Sequence, residues 1–125
     1  MAYSDDTQVY TATILAAGSL SSAVKIGGLS LVGMTLGATF DATTTNVQFL
    51  VSRDDTTYNI LKDNDGNPVF VTVAASNTNK ATHLDPAKFA AWNSVKIGTY
   101  KTNGSTVQTQ TAETAFELIA AKVTG

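Results

Sequence analysis

Apolar and polar positions alternate with a period of two over much of the chain, the spacing of half-buried β-strands rather than helices. In "TQVYTATILAAG" Val9, Thr11 and Thr13 alternate against Tyr10, Ala12 and Ile14. "LSLVGMTLGATF" sets Leu29, Leu31, Gly33 and Thr35 against Ser30, Val32, Met34 and Leu36, and Gly33 inside that run marks a candidate bulge. "DATTTNVQFLVSR" turns at 41–45, then places Val47, Phe49 and Val51 on one face and Gln48, Leu50 and Ser52 on the other. "AVKIGG", "YNIL", "PVFVTV" and "SVKIGTYK" are shorter strand candidates, and "AFELIAAKV" is a last strand with a short helix as the competing assignment.

Turn chemistry separates these runs. "KDNDGN" carries Asp65-Gly66, a strong hairpin signal that predicts a type I′ corner. Asn103-Gly104 is a second hairpin candidate, and Asp54-Asp55-Thr56-Thr57 forms another polar corner. One stretch reads as helical: "DPAKFAAW" has Asp85 as an N-cap and Pro86 at the first helical position, which predicts a short helix of about two turns near 86–91. Short strands with frequent turns indicate an all-β sandwich or barrel. The expected fold is a jelly-roll-like β-sandwich of about eight strands in one domain over 1–125, with 1–17 an N-terminal arm or an edge strand.

Composition narrows the function. Only 14% of the 125 residues are charged, against about a quarter in a typical domain. The net charge is −2 and no two of the eight basic residues are adjacent, so neither nucleic acid nor an anionic membrane is an expected partner. With no cysteine, thiolate and disulfide chemistry are excluded. The first residues lack a basic segment followed by an apolar run, so no secretion signal is expected, and no apolar run approaches a membrane span.

Asp54, Asp55, Asn59, Asp63, Asn64 and Asp65 crowd into one stretch as a candidate cation site or a pair of turns. An EF-hand register with Gly66 at its sixth position puts Leu61 first and Thr72 twelfth, and neither can serve as a ligand there. The residues are therefore read as turn formers, Asp54, Asp55, Asp63 and Asp65 with Gly66, and a weakly held cation is the minority reading. His83 is the sole histidine; a pairing with Asp85 lacks any nucleophile elbow, and a zinc site lacks further ligands. Glu113 and Glu117 face each other only on a helix. No catalytic, cofactor-binding or metal residue is assigned, and the chain is not expected to be an enzyme. Trp92, Tyr58, Tyr100, Tyr3 and Tyr10 are the aromatics with polar handles, either core anchors or a sugar-binding face.

Several motifs in fixed order resemble small virion proteins of tailed bacteriophages. They are an apolar strand ending in Ser52-x-Asp54, then Tyr58 followed by Leu61-x-Asp63-x-x-Gly66, and Pro86 with Phe89. The strand Val95 to Thr99 and Gln110 before the last strand complete the set. The pattern spans roughly residues 29–123 and departs in three places: Asp55 stands where glycine is usual, Asn93 and Ser94 stand where a basic residue often opens the strand, and residues 1–28 have no counterpart. The resemblance implies a β-sandwich head decoration or other capsid-associated protein, made in the host cytoplasm and built into the virion, with the major capsid protein and further copies of itself as partners and no cofactor. Similar sandwiches occur as carbohydrate-binding modules of fibres and adhesins, the alternative. Residues 7–17 contain no charge and no proline, an edge that invites pairing with another chain. Val9, Ile14 and Leu15 are the expected anchors of an intersubunit contact, and removal of 1–17 is expected to leave a folded domain.

Overall fold

A computed structural model describes the backbone of residues 2–27, 29–36, 46–73, 81–90, 92–101 and 105–124, and side chains between residues 7 and 122 of that set. The expected turns at 41–45 and Asn103-Gly104, and the Tyr3 side chain, lie outside the described residues.

The chain is all-β, with two antiparallel sheets. One orders β1 (Ala2–Ile14), β9 (Thr114–Thr124), β3 (Ser30–Thr35) and β7 (Ala81–His83). The other orders β2 (Val24–Lys25), β8 (Ser94–Tyr100), β4 (Asn46–Ser52) and β5 (Asn59–Ile60), with β6 (Phe70–Thr72) also on β4. Apart from the β4–β5–β6 run, consecutive strands alternate between the sheets, which is jelly-roll connectivity. The first and last strands thereby lie side by side, paired from Ala2–Thr124 to Ile14–Thr114.

Alternation dictates the core. Ala12 and Ile14 of β1, Val47, Phe49 and Val51 of β4, Val95 and Ile97 of β8, and Phe116, Leu118 and Ala120 of β9 all point between the sheets and are buried. Strict alternation would place Leu31 and Met34 on opposite faces. Both are buried because the β3–β9 register shifts between Leu31 and Gly33, an extra residue that turns both side chains inward.

The expected helix is a single 3₁₀ turn, Pro86–Lys88. The Asp85 side chain caps it by accepting from the Ala87 N–H at 3.1 Å. Its hydrogen bonds run three residues back, from Lys88 to Asp85 and from Phe89 to Pro86. A second turn is precluded because Phe89 ends the element and dives into the core, its ring edge-on to Phe49 with centroids 5.0 Å apart and planes at 79°. The Ala, Glu and Leu of the last segment do not form a helix; cross-strand pairing of β9 with both β1 and β3 overrides their propensity.

Residues 1–17 are not a separate arm over their described length. β1 is an edge strand of the first sheet, and Ile14 is fully buried in the core, so it presents nothing to a neighbouring subunit. Val9 and Leu15 are 61% and 67% exposed.

Candidate functional site

The acidic stretch resolves into two corners. At the first, one carboxylate oxygen of Asp54 accepts from the Ser52 hydroxyl (2.9 Å) and from the N–H groups of Thr56 (2.9 Å) and Thr57 (2.8 Å). These donors hold the Asp54 carboxyl down to about 2, led by the Thr57 N–H and then the Thr56 N–H. Such a depressed value contributes stability that is complete above the ordinary carboxylate pKa of 3.8 and fades as pH falls towards about 2. The melting temperature should therefore drop between pH 4 and pH 2, and Asp54→Asn, which keeps an acceptor oxygen without the proton equilibrium, should flatten that drop. Thermal melts across this range, read by circular dichroism, check it; an equal slope in the variant would remove Asp54 as the cause.

The second corner differs from the expected type I′ turn. Gly66 has φ +82°, whereas Asp65 is not in the left-handed region. The Asp63 carbonyl accepts from the Gly66 N–H (3.1 Å) and its N–H donates to the Asn67 carbonyl (2.8 Å). This is a three-residue loop, a type I turn closed by a glycine bulge. The Asp63 carboxylate accepts from the Asp65 and Asn67 N–H groups at 2.9 and 3.0 Å, which stabilises this turn over the two-residue alternative. A Cβ at Gly66 would meet nothing within 4 Å, so only backbone strain opposes substitution. Gly66→Val should cost more than about 1 kcal/mol while Gly66→Asn costs less, because asparagine tolerates the left-handed region. Equal melting temperatures for the two variants would contradict this.

Two of the departures from the phage pattern meet in space. Asp55 has φ +64°, the conformation that makes glycine usual at this corner. Its carboxylate accepts from Asn93 Nδ2 at 2.8 Å and lies 3.7 Å from Lys25 Nζ. Hydrogen bonds from Ser94 and Asn93, with the Lys25 charge, lower its pKa. Asn93 and Ser94, the other departure, are thus the partners that hold a non-glycine residue in the strained position.

The remaining candidates stay apart. Among the described residues no three of His, Asp and Glu converge to hold a metal ion. His83 is exposed on β7, while Asp85 is engaged in its cap. Glu117 lies on β9 and Glu113 just before that strand, so the two do not share a helix face. The aromatics do not share a face: Tyr10 belongs to the first sheet, Tyr100 is buried in the second, and the Tyr58 hydroxyl bonds Ser94 at 2.9 Å with Lys96 Nζ 4.4 Å from its ring centroid. Trp92 is half-buried in a shallow hollow with Arg53, Asp54, Thr57 and Asn59.

The residues that carry the phage resemblance have architectural roles. Leu61 and Phe89 are core, and Gln110 is buried, its N–H and C=O clamping Gly18 and Ala17 at 2.7 Å each. The exposed residues form the more informative set. Leu15 and Leu20, the latter 43% exposed, line one hollow with Thr13, Gly18, Ser21, Ser22 and Glu113 where β1 ends. Leu20 was not legible as a surface residue, because its exposure follows from the path of 17–21 alongside β8 and Gln110.

No family model and no curated protein matches the sequence. Solved structures do resemble it. The SPBc2 prophage-derived protein YomS is 13% identical, over 97% of this chain and 99% of that one, with a TM-score of 0.51. The Drosophila NLP core, whose structure concerns pentamer formation and histone binding, is 16% identical over 91% and 95% with a TM-score of 0.46. VP2 of the infectious bursal disease virus subviral particle is 15% identical, over 94% of this chain but 33% of VP2, with a TM-score of 0.30. The likeness to YomS is one of fold. No helix among the described residues is long and apolar enough to cross a membrane.

Proposed function

We propose that this chain is a structural protein of a tailed-phage virion, a decoration protein that binds the major capsid protein and further copies of itself and catalyses no reaction. The observation that carries this reading is the pair Leu15 and Leu20, exposed side by side at the end of an edge strand that also exposes Val9. Stable protein interfaces have apolar centres and polar rims, and here the two leucines supply an apolar centre with Glu113 beside it. The order of motifs from Ser52 to Gln110 supports the same assignment, and so does a fold shared with a prophage-derived protein.

The test is co-sedimentation with capsids assembled without this chain. Saturable binding at a fixed ratio to the capsid protein is expected, and Leu15→Asp with Leu20→Asp should abolish it while leaving the circular dichroism unchanged. Absence of binding by the wild type would overturn the assignment. The hollow beside Trp92 favours a second reading, a glycan-binding module, since an indole beside polar side chains suits a sugar ring. Saturable signal on a glycan array, lost in Trp92→Ala, would select that reading instead.

A further inference from the structure

Sheet edges expose unpaired N–H and C=O groups, and proteins blunt the edges they do not use. Three edges here are blunted by shortness. β7 has 3 residues, β2 has 2, and the edge beside β4 is divided between β5 with 2 and β6 with 3. β1 is 13 residues long and lies at the end of its sheet. From Thr7 to Ile14 it has no charged residue and no proline, and its one irregularity in pairing falls before Thr7.

Alternation says which groups are free. Thr13 directs its carbonyl away from β9, to the Ser22 N–H at 3.2 Å. The backbone groups of every second residue point the same way, so Thr11, Val9 and Thr7 direct theirs to the open edge. The side chains of Thr7, Val9 and Thr11 are also exposed. The loop that reaches Ser22 covers the edge at Thr13, leaving these three as the open segment among the described residues.

We propose that this segment pairs with the same segment of a second copy, antiparallel about a two-fold axis at Val9, joining two four-stranded sheets into one continuous sheet. The open segment is symmetric about Val9. Val9 lies opposite the partner subunit's Val9, and Thr7 opposite the partner subunit's Thr11, pairs of branched side chains that suit a shared face. Charge selects both the occupant and the direction. The segment offers no charge to a charged partner, and antiparallel pairing sends the Asp5-Asp6 pairs of the two copies to opposite ends of the seam. Parallel pairing would set them side by side. This inference deepens the self-association within the reading above, and its test contains no capsid, so the two can fail separately.

The chain has no cysteine, so single substitutions introduce unique thiols. Under mild oxidation Val9→Cys should cross-link into a dimer. Thr7→Cys alone should not, but should cross-link when mixed with Thr11→Cys. By sedimentation equilibrium the wild type should be a dimer or a larger assembly built from dimers. Val9→Pro removes only an outward N–H, leaves the β1–β9 ladder intact, and should be a folded monomer. Val9→Lys keeps every backbone group and should also be monomeric, which answers the question if the proline variant misfolds. A monomeric wild type at its highest soluble concentration, unchanged assembly of Val9→Lys, or preferential cross-linking of Thr7→Cys to itself would each overturn the proposal.

Discussion

Deletion of residues 1–14 is expected to abolish the folded state. β1 pairs with β9 from Ala2–Thr124 to Ile14–Thr114, and Ala12 and Ile14 are 0% exposed. Loss of Ile14 alone removes about 2–5 kcal/mol by analogy with large-to-alanine changes in cores. Each lost ladder bond removes about 1 kcal/mol net. Together these approach the whole ~5–15 kcal/mol that holds an ordinary domain together. The truncated chain should lack a cooperative thermal transition by circular dichroism. A β-rich truncated protein with an unchanged melting temperature would show that β1 is dispensable, as its sequence alone suggests for a free arm.

Phe49→Ala is expected to cause the largest loss of any single substitution. Phe49 is 0% exposed, lies mid-strand in β4, and meets the buried Phe89 edge-on. Removing the ring forfeits its transfer energy, opens a cavity and leaves Phe89 without its stacking partner. The expected cost is about 3–5 kcal/mol, or a fall of roughly 10–20 °C in melting temperature for a chain of this size. Phe70, 49% exposed on β6, is the control, and Phe70→Ala should change stability by no more than about 0.5 kcal/mol. Similar losses in the two variants would mean that the core is not organised around the Phe49–Phe89 contact.

Much of this architecture is legible in the chain itself. The strands follow from period-two alternation, and the bulge in β3 is marked by Gly33. Parity also contains the fate of Ile14: it shares a face with Ala12 and not with Val9, so Val9 and Ile14 cannot anchor one surface. The helix near 86–91 is over-read because Asp85 and Pro86 start a 3₁₀ turn as readily as an α-helix, and the burial of Phe89 that stops it is a tertiary contact. The Asp65-Gly66 pair likewise predicts a hairpin without fixing its length; the Asp63 carboxylate, bonded to two N–H groups, selects the three-residue loop. Contacts between distant segments were beyond reach. Nothing local signals that Asp55 adopts φ +64° with Asn93 as its partner, or that Leu20 emerges beside Leu15.

Asp54 and Asp63 are held by the backbone of their own turns and Asp55 by Asn93 and Lys25, while the exposed Leu15 and Leu20 share a hollow at the end of the long edge strand. That division of labour suits a protein that works by contact. Its most direct test is quantitative mass spectrometry of purified virions banded on a density gradient. The account predicts that the chain bands with the particles at a fixed ratio to the major capsid protein; recovery only in the soluble fraction, or at a ratio that falls with each round of purification, would contradict it.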